Sequence, residues 1–361
     1  LILPTLGDLH THLDKAHTWE RAPNRDGTFA GAIAAVEGDR HRWHREDLYR
    51  RMEYSLGIAY YHGMAALRTH LDCPPEQAER TLEVFATLQH QWRDRLTLEA
   101  VSLVTLDHYF TPEGEALADR LAAVGGILGG VVYPHPELDA QLDRVFRLAQ
   151  ERHLRLDFHA DETGDPRANG LERIAAAALR HRFAPPIVCG HCCVLAVQDE
   201  ATVGRTLDLV QSCGLTVVSL PLCNLFLQDR QPQRTPRWRG VTLVHEMLDR
   251  GIPVAIASDN CDDPFYAYGD HDLVATYQMG SQITHLDLFP AQGLPTITRV
   301  PAHHLGIQGT LAPGMVADMI LFSARSLRDF IALPQGDRQI LRRGLWQERR
   351  RPVLERYRTD P

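Results

Sequence analysis

The sequence predicts a (β/α)8 TIM barrel with a small β appendage, and three observations lead there. Eight strand-like stretches alternate with helical patterns between residues 1 and 279. Those strands are continuously apolar rather than alternating, as expected of a parallel sheet buried on both faces. After Gly306 the pattern changes to a turn-rich β style. A doubly wound open sheet is the competing architecture. It lacks support, because no strand runs into a glycine-rich phosphate loop.

The candidate strands are 1–8, 63–72, 96–106, 127–133, 154–159, 187–191, 216–222 and 253–259. Apolar residues at helical spacing predict helices over 46–61, 76–93, 138–152, 171–181 and 202–213, with shorter ones at 241–249 and 272–279. Segments 15–46 and 224–239 read as long mobile loops, as does the aromatic loop of Phe265, Tyr266 and Tyr268. The barrel takes residues 1–305 and the appendage 306–361. In the appendage, Gly309 to Asp318 leads into the apolar stretch 319–322, read as a short β appendage rather than more barrel. Its partner strands are expected before Leu1. The chain starts there without a methionine, so an N-terminal piece is expected to precede it.

Composition narrows the function classes. The 361 residues carry a formal charge of -8, which argues against a nucleic-acid partner. No apolar run approaches the roughly 20 residues needed to span a bilayer. The basic cluster between Arg342 and Arg358 reads as a solvated face. Seven cysteines, an odd number, fit reduced thiols in a cytoplasmic protein better than a disulfide framework.

Active-site residues of a barrel sit at the C-terminal ends of its strands. Here those ends carry His10 and His12, then His70 and Asp72, then His159-Ala160-Asp161-Glu162, then His191, then Asp259. Residues at i and i+2 of a strand point the same way, so His10 and His12 can share one ion. Polar residues that end otherwise apolar strands are hard to explain by packing. His10, His12, His159 and Asp259 make a set of three nitrogens and one oxygen suited to zinc or ferrous iron. Such an ion lowers the pKa of water toward about 7 and supplies hydroxide at neutral pH. Barrel hydrolases with two metals commonly bridge them through a carboxylated lysine ending the fourth strand. The only lysine of this chain is Lys15, so one divalent ion per chain (Zn2+ or Fe2+) is expected.

The HTHLD start, the HADE motif, Gly190-His191 and Ser258-Asp259 resemble the amidohydrolase superfamily. Within it the chain is similar to the bacterial cytosine deaminase group. Asn24 to Phe29, the RTHLD of strand two, Leu222 to Gln228 and Asp263 to Tyr266 support this, and the tail Gly309 to Asp318 resembles the superfamily's small β-sandwich return. The resemblance implies His10, His12, His159 and Asp259 as metal ligands. It implies Glu162 as proton shuttle, His191 as the group that orients the attacking water, and Asp259 also as a proton acceptor. Asn260, Phe265 and Asp72 are the candidate substrate contacts.

Two positions depart from the group. Its glutamine after strand three is absent from Leu103-Val104-Thr105, and Asn260 stands where an acid usually follows the strand-eight aspartate. Both leave cytosine itself in doubt without touching the hydrolytic residues. Cys189-Gly190-His191-Cys192 superficially suggests the cysteine-zinc deaminases, but the spacing is H-x-x-E and Cys189 follows valine, not proline. The expected activity is hydrolytic deamination of a free heterocyclic base, cytosine or a related cyclic amidine, releasing ammonia. The competing expectations are opening of a cyclic amide ring and a non-catalytic barrel relative. The partners would be a small heterocycle and water, with a homo-oligomer also compatible.

Overall fold

The computed structural model describes residues 1–353. Its strands are, in order, β1 (Ile2–Pro4), β2 (Leu6–Thr11), β3 (Met64–Asp72), β4 (Thr97–Leu103), β5 (Leu128–Val132), β6 (Leu156–Ala160), β7 (Ile187–His191), β8 (Thr216–Ser219), β9 (Val254–Ile256), β10 (Met319–Leu321), β11 (Gln339–Arg342) and β12 (Leu345–Trp346). β2 to β4 form one parallel sheet and β5 to β9 another. Bridges Val101↔Ile127 and Thr105↔Val131 join them on one side, and Thr11↔Asp259 joins them on the other. The eight strands therefore close into the predicted barrel, with helices packed outside.

Alternation along each strand sorts the side chains. On β6, Phe158 faces outward and meets Phe146 of the helix Leu138–Arg152, with ring centroids 6.4 Å apart. Its neighbour His159 faces the interior. Leu9, Ala66, Val188, Val218 and Ala255 fill the barrel together with Leu305, from the helix Arg299–Leu305. Leu305 plugs the end opposite the site. A Cβ on Gly7 would lie 2.5 Å from its Cδ1, so a larger residue there would push the Leu305 side chain aside.

Several boundaries differ from the sequence-based expectation. The first apolar run is two strands in two sheets: β1 pairs antiparallel with β10, and β2 enters the barrel. Pro4, which has no N–H to donate, marks the change. The appendage thus finds a partner strand after Leu1, in a four-stranded antiparallel sheet β1-β10-β11-β12. The expected loop 15–46 contains the helix Phe29–Asp39, capped where Thr28 Oγ1 accepts from Gly31 N at 3.0 Å. The helix Pro112–Ala123 lies where none was expected, with Thr111 as its cap. The helix Pro221–Leu227 overlaps the start of the expected loop 224–239. The basic cluster is partly packed rather than solvated: the Arg342 and Arg349 guanidiniums lie 5.1 and 4.3 Å from the Tyr60 and Tyr61 rings. Arg356 and Arg358 lie outside the described residues. Among the described residues no helix is long and apolar enough to cross a membrane.

One ion pair fastens the segment before β11 to the barrel. Arg338, 2% exposed, holds Asp272 through two hydrogen bonds of 2.8 and 2.6 Å and also reaches the His62 carbonyl. Burial works to raise the Asp272 carboxyl, but the Arg338 bonds overcome it and hold it below the usual range. Its contribution is therefore present at neutral pH and lost as pH falls through that lowered value. Arg338→Ala removes the guanidinium from a buried carboxylate, leaving it only His62 Nδ1 at 3.4 Å and the Val274 N–H, and should cost about 3 kcal/mol, read as a lower denaturant midpoint in urea unfolding.

Candidate active site

Four donor groups meet at the C-terminal mouth of the barrel. The Nε2 atoms of His10 and His12 each lie 3.2 Å from His159 Nε2. Asp259 Oδ1 lies 3.1 Å from His12 Nε2 and 3.5 Å from His10 Nε2. All four residues are buried, and neither Asp259 oxygen has a hydrogen-bond partner. Burial pushes the Asp259 carboxyl up to about 8 and drives all three imidazoles well below their ordinary value. A buried carboxyl group facing neutral imidazole nitrogens is a donor set that could hold a cation.

The backbone fixes this convergence. Asp259 N–H donates to the His10 carbonyl at 2.9 Å, which locks the last strand end to the first. The buried Asp8 carboxylate accepts from Ser258 N at 3.2 Å and His10 N at 3.4 Å, tying both ligand-bearing segments together. Asp161, His191 and Asp259 all adopt left-handed φ values, 52°, 70° and 64°. Such residues cost about 1–3 kcal/mol each and cluster at functional sites. Gly190 is required for another reason: a Cβ there would sit 2.8 Å from His10 Cε1.

Glu162 is presented by its neighbour. Asp161 accepts from Gly170 N and Leu171 N at 2.7 and 2.8 Å, capping the helix Gly170–His181 and fixing the loop. Glu162 Oε1 then lies 3.4 Å from His191 Nδ1. Asn224 Nδ2 sits 3.3 Å from Glu162 Oε1 and 3.0 Å from His191 Nδ1, bridging the two. Burial first, then the Asp259 charge, pushes the Glu162 carboxyl well above the usual range. His191 is held down to about 3 by burial, and its Nε2 has no hydrogen-bond partner. Asn224 is a residue that sequence reasoning left without a role.

A cavity of about 330 Å³ opens above this floor, lined by His12, His159, Glu162, His191 and Asn260. Its walls carry Asp72 and Lys15, joined at 2.7 Å, and the apolar face of the helix Phe29–Asp39 through Phe29, Ile33 and Val36. Lys15 is buried. Desolvation works to lower it, but Asp72 and Asp14 outweigh that and raise it above its ordinary value. Its Nζ lies 5.3 Å from the Phe265 ring centroid. Asp263 accepts from Asn260 Nδ2, Phe265 N and Tyr266 N, and so builds the turn that presents Phe265 to the cavity. Tyr266 and Tyr268 pack on Phe226 instead and are absent from the cavity wall. His70 stacks on His10 at 3.9 Å and lies behind the donor set. Cys189 and Cys192 are buried thiols outside the donor clusters found among the described residues.

The profile of the Amidohydrolase family matches residues 55–346. The chain belongs to this family. It is 47% identical over 350 residues to the pterin deaminase of Rhizobium rhizogenes, covering 95% of this chain and 80% of that protein. It is 22% identical over 342 residues to the N-isopropylammelide isopropyl amidohydrolase of Pseudomonas sp. strain ADP, covering 90% and 80%. Among solved structures, the 5-methylcytosine deaminase of Klebsiella pneumoniae with phosphonocytosine superposes with a TM-score of 0.87 at 25% identity, covering 98% of this chain and 88% of that one. The family resemblance and the barrel expected from the sequence both stand.

Proposed function

We propose that this amidohydrolase is a metal-dependent deaminase of a free pterin-type ring, replacing an exocyclic amine by a carbonyl oxygen and releasing ammonia. The observation that carries the reading is the meeting of His10, His12, His159 and Asp259 beneath Glu162 on the cavity floor. The 47% identity to a pterin deaminase favours a bicyclic 2-amino-4-oxo ring over cytosine.

The donor set suits a single divalent ion. Tetrahedral ligands at zinc distances lie about 3.3 Å apart. The contacts here are 3.1 to 3.5 Å. Imidazole and carboxylate fit zinc or ferrous iron, and when bound the ion supplies nucleophilic hydroxide at neutral pH. Glu162 accepts one proton from the attacking water and passes it to the ring nitrogen; the water's second proton, taken by Asp259, is then delivered through Glu162 to the departing amine. His191 Nε2 orients that water. Asn224 keeps Glu162 and His191 in register. A C–O bond forms, the C–N bond breaks, and ammonia leaves.

Asp72, Lys15 and Asn260 present hydrogen-bonding groups to the ring edge, and Phe265 packs on its face. The apolar wall of Phe29, Ile33 and Val36 holds the second ring. Metal-loaded protein should release ammonia from pterin with kcat/KM at least about tenfold above cytosine or 5-methylcytosine. Asp72→Asn should raise KM for pterin by about 10–100-fold, the worth of one buried charged contact. Absence of ammonia release from pterin would overturn the reading, as would loss of ring absorbance without ammonia.

A further inference from the structure

We infer that the chain carries a second metal site, a zinc ion held by His17, Cys261 and His271, which staples the loop after β2 to the loop after β9. One donor atom from each of these three residues lies within 4.8 Å of the other two. The site is separate from the cluster of His10, His12 and Asp259 and lies outside the cavity wall.

His271 is the independent observation. Its side chain is 1% exposed, and neither ring nitrogen has a hydrogen-bond partner. A buried imidazole with both nitrogens idle is costly, and a cation facing it removes that cost. Cys261 is a buried free thiol. Asp262 Oδ2 lies 3.2 Å from His17 Nδ1, the carboxylate–imidazole contact that orients ligating rings.

The backbone is already laid out for a staple. His17 N donates to the Cys261 carbonyl at 3.2 Å and Trp19 N to the Asp262 carbonyl at 3.0 Å. His17, Asp262 and His271 hold left-handed φ values of 61°, 51° and 48°. Thiolate and imidazole together select zinc among common divalent ions, and three protein donors leave a fourth position for water. Binding displaces the Cys261 thiol proton to solvent. The staple spans the two strand ends that carry His12 and Asp259, so it braces the floor of the cavity. It raises the expected metal content from one ion to two without making the active site binuclear.

The test uses the purified full chain, assayed for zinc and then prepared with cobalt in its place. Wild-type protein should hold two ions per chain, and the cobalt form should show a thiolate-to-cobalt charge-transfer band in the near ultraviolet. That band should vanish in Cys261→Ser and persist in Cys223→Ser, whose thiol lies near Asn260. His271→Asn should lose one ion. A wild-type cobalt spectrum without the band overturns the site, whether or not any variant folds. So does a band that survives Cys261→Ser.

Discussion

Glu162→Gln should lower kcat by about 10²–10⁴-fold while metal content and thermal midpoint stay at the wild-type level. The amide keeps the shape of the carboxyl and can still meet Asn224 and His191, which lie 3.3 and 3.4 Å from Oε1. What it loses is the ability to accept a proton and return it. Glu162 donates no bond to the four converging groups, so the variant separates proton transfer from metal binding. A single-turnover measurement should show the defect in the chemical step, with substrate binding preserved. Turnover within a few-fold of wild type would remove Glu162 from the reaction.

The parts of this site that were legible in the sequence share one physical property. His10, His12, His159, His191 and Asp259 end apolar strands, where packing gives a polar side chain nothing to do. The strand period then says that they face one another. Asn224 had no such signal. Its role is a contact to Glu162 and His191, 62 and 33 residues away in sequence, and its own helix is only Pro221–Leu227. Phe29, Ile33 and Val36 were hidden for a related reason. Their helix is rich in alanine and glycine, and part of its apolar side lines a cavity, so the hydrophobic stripe is weak. The join between β1 and β2 was invisible because both strands are apolar. Only the change of partner at Pro4 to Leu6 separates them.

His159→Ala should abolish turnover, by more than about 10⁴-fold, because it removes the group that touches both His10 and His12. The two 3.2 Å contacts made by its Nε2 place it at the centre of the donor set. Without it, the remaining three donors cannot hold a closed coordination shell. The active-site ion should therefore be lost from dialysed protein, and added zinc should not restore activity. Chelated wild-type protein should show the same loss of turnover but recover on re-addition of metal, which distinguishes an absent ligand from an absent ion. Binding to the folded state alone stabilises it by mass action, so both forms should unfold several degrees below the metal-loaded protein. The barrel itself should survive: Phe146 and Phe158 pack on the outer side of β6, away from the substituted side chain. Far-ultraviolet circular dichroism at the wild-type level, together with one ion lost per chain, would fix the defect at the donor set. Retention of both full metal content and activity would mean that His159 is a core histidine and that the ion, if any, is held elsewhere.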